Sequence, residues 1–188
     1  MKILHVLTKL DELVTPEAHW ISDAYTPLSC SLCKDLLSQH VHQGINIQLK
    51  NEKLKGPIGA VRGLVRIDVY REDFREALSG LWDGFHFGKV LIEGVLSPNY
   101  RSVIVEDRVR TPRQGDSRTT RSSCTQCGRP NQQNTFGASW FRTSDVRGRH
   151  TFTSVSGTGL YLSEHAVGML PASLVDELRL FPHEVRKG

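Results

Sequence analysis

Two Cys-x-x-Cys pairs constrain the fold of this chain more than any other feature of its 188 residues. The four cysteines of the chain form these pairs, Cys30 with Cys33 and Cys124 with Cys127. Two such turns supply four thiolates, which is the complete tetrahedral ligand set of a structural zinc ion. The sequence therefore predicts one Zn²⁺ held by Cys30, Cys33, Cys124 and Cys127.

The spacing of the pairs leaves other ligand sets open. Residues 34–123 separate the two pairs, whereas roughly 15–20 residues separate them in a compact zinc ribbon. A shared site therefore requires the tertiary structure to bring the two turns together. One alternative is that the first pair recruits His40 and His42, although His-x-His is shorter than the usual spacing between histidine ligands. A redox pair or plain thiols are the remaining alternatives.

The start of the sequence bears on the compartment in which these cysteines lie. The apolar stretch after Met1 is interrupted by His5 and ended by Lys9, so it is too short for the hydrophobic region of a signal peptide. No apolar run approaches the roughly 20 residues of a membrane span. We therefore expect a cytoplasmic protein without a membrane partner. A reducing compartment disfavours structural disulfides and favours metal binding by paired cysteines.

Hydrophobic periodicity predicts an α+β fold with mostly antiparallel strands and two short helices. The clearest pattern is the alternation over residues 64–70, which changes to a helical period over residues 71–82. A second helix is predicted from the cap Ser163 through Leu170. A polar, arginine-containing stretch over residues 111–123 predicts an exposed, mobile loop. The remaining strand candidates are residues 3–7, 45–49, 87–93, 100–105, 136–141, 150–155 and 160–162, with a broken strand over 178–185.

Two parts of the sequence follow a similar plan. Residues 69–74 and 161–166 each end a predicted strand and begin a predicted helix, and each follows a cysteine pair at nearly the same distance. This pattern suggests one domain, residues 1–188, with an internal repeat whose halves are about 1–108 and 109–188. If the two halves are related by a pseudo-twofold axis, their packing would bring both cysteine pairs to one structural zinc site.

The second cysteine pair continues as Cys127-Gly128-Arg129-Pro130, and the chain closes with strand–helix–strand segments around residues 159–164 and 178–182. Together with the two Cys-x-x-Cys turns, these features resemble the double-CxxCG motif family of bacterial immunity proteins. The resemblance extends from about Cys30 to the C-terminus. Lys34 stands where the motif has glycine, and residues 1–29 match nothing in the family.

The resemblance implies a non-enzymatic protein that binds and neutralises a cognate bacterial toxin. It also implies that the four cysteines are metal ligands. It points to no toxin-contacting residue, because these surfaces differ between members of the family, and the partner-binding residues are unknown at this level.

Catalytic motifs are missing from the sequence, so we expect no catalytic residue and no enzyme. Residues 157–159 form a lone Gly-x-Gly without the further residues of a phosphate loop. A zinc-containing nucleic-acid-binding or regulatory module is the alternative, because zinc knuckles, a pI of about 9.0 and an arginine-rich loop suit phosphate binding. The formal net charge of only +4 counts against it. The arginines that would contact phosphates lie in and before the polar loop, at Arg108, Arg110, Arg113, Arg118 and Arg121. That loop contains no aromatic residue for base stacking, which makes nucleic acid a less favoured partner than a protein.

Overall fold

The computed structural model describes the following parts of the chain: residues 2–6, 13–14, 17, 26–32, 44–50, 54, 56–61, 67–106, 108–109, 124–127, 140–154 and 159–187. In chain order their strands are β1 (Ile3–Val6), β2 (Leu13–Val14), β3 (Ile47–Leu49), β4 (Ile58–Val61), β5 (Ile67–Arg71), β6 (Phe85–Ile92), β7 (Val95–Val105), β8 (Arg108–Val109), β9 (Phe141–Arg142), β10 (Thr151–Ser154), β11 (Leu160–Ser163), β12 (Leu180–His183) and β13 (Val185–Arg186). The helices are α1 (Glu72–Ala77), α2 (Thr143–Val146), α3 (Glu164–Met169) and α4 (Ala172–Glu177), and one 3-10 helix spans Thr26–Leu28. The fold is mixed and strand-rich.

The larger sheet has six strands in the order β2-β4-β5-β7-β6-β3. Its four central strands pair antiparallel, whereas the edge strands β2 and β3 pair parallel with their neighbours. Strands β6 and β7 form a hairpin whose turn, Glu93-Gly94, has φ angles of 51° and 80°. Positive φ at both central residues is the geometry that follows the twist of a tight hairpin. Strand β7 begins directly after this turn, at Val95, and is therefore longer than the strand predicted over residues 100–105.

The smaller sheet has five strands in the order β12-β1-β11-β10-β8. The N-terminal strand β1 lies between β11 and β12 and pairs antiparallel with both, with Leu4 opposite Leu162 and Pro182. Pro182 is tolerated because β12 is an edge strand, where the missing N–H breaks no ladder. Strands β9 and β13 form a separate parallel pair. Among the described pairings, antiparallel ones predominate, as the sequence predicts.

Both predicted strand-to-helix transitions occur in the structure. Strand β5 leads directly into α1, and β11 leads into α3. In α3, the Ser163 Oγ accepts a hydrogen bond from the Ala166 N–H at 3.2 Å, which satisfies one of the unpaired amides of the first turn. The two transitions lie in different sheets, and the internal repeat stays a prediction.

Helix α1 is shorter than predicted, because it ends at Ala77 and not near residue 82. The Ser79 N–H donates to the Glu76 carbonyl at 2.9 Å instead of continuing the helical pattern to Arg75. The Arg75 carbonyl is satisfied by the indole Nε1–H of Trp82, at 2.8 Å. The Trp82 indole thus satisfies a backbone carbonyl at the end of the helix.

The prediction of two helices is wrong in number, since the described residues contain four. Helix α2 has only four residues, too few to show a helical period. Helix α4 begins after Pro171, whose carbonyl accepts hydrogen bonds from the Leu174 and Val175 N–H groups at 2.9 and 3.1 Å. Pro171 thus ends one helix and starts another, because proline lacks an N–H but fits the start of a helix.

Most other predicted strands overlap the observed ones, including both pieces of the broken C-terminal strand. Residues 136–139 of one predicted strand lie outside the described residues, and the strand found next to them is β9. The predicted mobile loop over residues 111–123 also lies outside the described residues.

One apolar core receives side chains from both large sheets and from three helices. Its aromatic centre includes the fully buried Tyr70 and Phe74, and the half-buried Trp82 packs against both. Leu160 and Leu162 of the smaller sheet are fully buried in the same core. Burial of this kind stabilises a fold by about 1.5–3 kcal/mol for each large side chain. The core therefore joins residues separated by about half the chain.

A charged contact lies at the edge of this core. The Arg71 guanidinium, at the end of β5, donates to both carboxylate oxygens of Glu177 in α4, at 2.7 and 2.9 Å, and to those of Asp73. The hydrogen bonds from Arg71 lower the pKa of both carboxyl groups. Such bidentate pairs fix geometry as well as adding energy, so this contact orients α4 relative to β5.

Two histidines of the smaller sheet lie around Tyr161. The His5 ring stacks on Tyr161 with centroids 4.5 Å apart, and His183 meets the same ring edge-on at 5.0 Å. The Nε2 atoms of both histidines are buried and have no hydrogen-bond partner among the described residues. Burial, with a smaller effect of His183, lowers the pKa of His5 from 6.5 to about 4. Burial also lowers the pKa of His183, although nearby Glu184 opposes this.

Acidification is expected to destabilise the protein through these histidines. Their pKa values are lower in the folded than in the unfolded chain, so the unfolded chain binds protons first as the pH falls. The contribution of these neutral histidines to the free energy of unfolding is fully present above about pH 6.5, and it should decline steadily as the pH falls to about 4. Urea unfolding at pH 7.5, 6.0 and 5.0 measures this. In a His5→Phe variant, which keeps an aromatic ring on Tyr161, the decline should be shallower; an unchanged slope would contradict the assignment.

Candidate metal centre

The first cysteine turn is anchored by a short helical segment. The 3-10 helix Thr26–Leu28 leads into Ser29 and Cys30, which are both buried. The chain then turns outward at Ser31 and Leu32, and Leu32 is 62% exposed. The thiol of Cys30 therefore points into the protein while the turn that follows faces solvent.

The second cysteine turn holds its first thiol by backbone contacts. Cys124 is buried and is followed by a turn over residues 125–127. The backbone N–H groups of Cys127 and Gln126 donate to the Cys124 sulfur and lower the pKa of this thiol from 9.0 to about 6. Amides aimed at sulfur stabilise the thiolate. Cys124 is thus prepared as an anionic ligand at neutral pH.

The fold brings three cysteines from the two turns together. The sulfur atoms of Cys30, Cys124 and Cys127 all lie within 4.8 Å of one another, and the Cys30 and Cys124 sulfurs are 3.7 Å apart. No other group of three or more metal-binding side chains occurs among the described residues. The tertiary structure therefore closes most of the long gap between the pairs, as a shared site requires.

The donor set fits a thiolate-bound metal ion. Two sulfurs bound to one tetrahedral Zn²⁺ at about 2.3 Å each are separated by about 3.8 Å, close to the observed 3.7 Å between Cys30 and Cys124. Three thiolates crowded in a buried place repel one another unless a cation compensates their charge. The cluster is therefore compatible with a metal site, and its sulfur ligands favour a soft or borderline metal.

A hydrogen bond between the two turns was not evident from the sequence. The Ser31 hydroxyl donates to the Gln126 Oε1 at 2.8 Å, and the Cys30 thiol lies 3.5 Å from the same oxygen. Both Ser31 and Gln126 occupy the x positions of their Cys-x-x-Cys pairs. The polar character of these two positions was the only sign in the sequence that they could form a hydrogen bond. Their separation along the chain does not indicate that Ser31 and Gln126 meet.

Several residues of the sequence analysis lie outside the described part of the structure. They are Cys33, the alternative ligands His40 and His42, Lys34 and Gly128 next to the cysteine pairs, and the loop arginines Arg110, Arg113, Arg118 and Arg121. Three of the four predicted ligands are thus brought together, and the fourth stays a prediction.

No family model matches the sequence, and no curated protein matches it. Within the described residues, no helix has the length and apolar character needed to cross a membrane.

Loss of the hydrogen bond between the turns is expected to weaken metal binding. Replacing Gln126→Ala removes the acceptor of Ser31, and loss of a group that orients ligands costs about 10–100-fold in metal affinity. Competition with a chromogenic zinc chelator measures this effect on the purified protein. The matched control is Thr125→Ala in the same exposed turn, which should retain the original affinity. Equal affinities of the Gln126 and Thr125 variants would show that the bond does not support the site.

Proposed function

We propose that this protein is a non-enzymatic immunity protein that binds and neutralises a cognate bacterial toxin in the cytoplasm, around a structural zinc site. The observation that carries the proposal is the meeting of three cysteines from two Cys-x-x-Cys turns, since Cys30 and Cys124 are 94 positions apart. These turns are also the features by which the sequence resembles the double-CxxCG motif family of bacterial immunity proteins.

In this proposal Cys30, Cys33, Cys124 and Cys127 hold the zinc ion. Four thiolates fill the tetrahedral coordination of zinc, so no position is left for water or substrate, and such a site is structural. Zinc would supply the binding energy that ties the first cysteine turn to the second. Because metal binding at such a site is coupled to folding, the metal and the fold are expected to be gained and lost together.

Neutralisation would follow from binding alone. The metal and the apolar core hold a rigid frame, and surface strands and loops contact the toxin and occlude its active surface. A frame that moves little on binding loses less entropy and so gives tighter complexes. The alternative is a zinc-containing nucleic-acid-binding or regulatory module, for which the basic pI of about 9.0 is the supporting observation.

A cysteine substitution tests the metal part of the proposal. Cys124→Ser should lose zinc, stability and protection against the toxin together, because it removes a buried ligand of the shared site. Native mass spectrometry gives the metal content, and thermal unfolding gives the stability. Leu32→Ser is the control, since Leu32 lies in the exposed first turn and its side chain is 62% exposed. A folded Cys124→Ser protein with normal zinc content would overturn this part.

Capture of the partner tests the functional part. Tagged protein is recovered from its native cells with and without nuclease treatment, and the bound species are identified by mass spectrometry. One protein retained in stoichiometric amount, and able to kill cells that lack this chain, is the expected result. Nucleic acid in the untreated sample, with no protein retained after nuclease, would instead support the alternative.

A further inference from the structure

A charged groove lies on the face of the larger sheet against which α1 packs. Its volume is about 380 Å³, and it is open to solvent. It is lined by the segment before β3, by β6 and β7, and by α1, through Gly44, Asn46, Glu72, Arg75, Phe87, Gly88, Lys89 and Arg101. We name it the basic groove. It is separate from the cysteine cluster, and no motif of the sequence pointed to it.

The floor of the basic groove depends on close backbone packing. A Cβ atom added at Gly88 would lie 2.3 Å from the Ile45 carbonyl oxygen, and one added at Gly44 would lie 2.1 Å from the Phe87 carbonyl oxygen. Only glycine at both positions allows the two backbones to approach so closely. The Lys89 N–H donates to the Asn46 Oδ1 at 2.9 Å and ties the same segment to β6. The groove is therefore a defined surface of the fold.

Two cations in the groove face each other across neighbouring strands. Lys89 of β6 is directly opposite Arg101 of the antiparallel strand β7. Directly opposite residues of such a pair lie on the same face with their Cβ atoms about 5 Å apart, and like charges there are destabilising. Arg101 is 3.3 Å from Glu72, whereas Lys89 pairs with no carboxylate among the described residues.

The acidic residues near the groove balance only part of this charge. Glu72 is shared, because Arg75 also donates to both of its oxygens, at 2.6 and 3.0 Å. Arg75 lies 3.8 Å from the exposed Glu76, which is outside the groove, and its guanidinium is held over the Phe87 ring at 5.5 Å. Three cations and one carboxylate therefore line the groove. A second anion between Lys89 and Arg101 would relieve their repulsion.

We propose that the basic groove is the docking surface for a glutamate- or aspartate-rich segment of the protein partner. This inference rests on the proposed function, since it assigns the chemistry of the partner to a place on this chain. A side-chain carboxylate entering the groove would sit between Lys89 and Arg101, and neighbouring carboxylates would reach the rim. Charge complementarity of this kind speeds association and selects the partner.

The openness of the groove favours a protein segment over a small metabolite. Small-molecule sites enclose 70–90% or more of their ligand and are mostly apolar. The basic groove is open, and Lys89 is exposed at its rim. Such a surface gives a free small anion little burial, whereas a protein segment adds contacts beyond the groove.

Calorimetric titration with a blocked hexaglutamate peptide tests the inference. The intact protein should bind it with an affinity that falls as salt is added, and should not bind hexaglutamine. The Lys89→Gln/Arg101→Gln variant should bind hexaglutamate about ten-fold more weakly or worse, because it removes both cations between which the carboxylate would sit. The matched control, Lys2→Gln/Arg179→Gln, removes two cations outside the groove and should bind as the intact protein does.

Other results would overturn the inference. They are equal binding of hexaglutamate by the groove variant and the intact protein, an equal loss in the control variant, or binding of citrate as tight as that of the peptide. If the double variant does not fold, Lys89→Gln alone replaces it, because Lys89 is exposed and Arg101 then keeps its contact with Glu72. The assay uses neither toxin nor zinc measurement, so its failure leaves the immunity proposal standing, and failure of the partner capture leaves the peptide result intact.

Discussion

The apolar core shared by the two large sheets is the interaction on which the rest of the structure depends. Tyr70 and Phe74 enter it from the larger sheet and α1, and Leu160 and Leu162 enter it from the smaller sheet. The core fixes how the strands of residues 58–105 meet those of residues 160–183. The bidentate contact from Arg71 to Glu177 fixes the orientation of α4 relative to β5. Apolar contacts alone do not do this, because they are non-directional.

The thiol cluster combines a local and a tertiary arrangement. Locally, the turn after Cys124 aims backbone amides at its sulfur and stabilises a thiolate. The meeting of Cys30 with Cys124 is a long-range contact, and the bond from Ser31 to Gln126 connects the same two turns. A metal at this place would add a strong, directional link between the two turns.

The thiol cluster and the basic groove suggest a division of work within one chain. Two of the three cysteines in the cluster are buried, which suits the cluster to holding the fold, whereas the groove is open and has like charges directly opposite each other on two strands. Opposed like charges cost stability, and such costs are often found at functional sites, because binding of the partner provides the compensation. A protein that acts by binding needs both a rigid frame and such a surface.

The sequence by itself determined the local elements and the type of chemistry. The change of period near residue 71 predicted the junction of β5 and α1, Ser163 predicted the start of α3, and the two Cys-x-x-Cys pairs predicted a thiolate cluster. Each of these signals lies within a few residues, where backbone geometry and side-chain spacing decide the outcome. The structure also gave the early end of α1 near Trp82 and the register that places Lys89 opposite Arg101. The position of β1 between β11 and β12 and the meeting of Cys30 with Cys124 came only from the tertiary structure. They depend on contacts between residues far apart in the chain. The local sequence around either residue does not predict such a contact, because its energy depends on both segments and on the fold that brings them together.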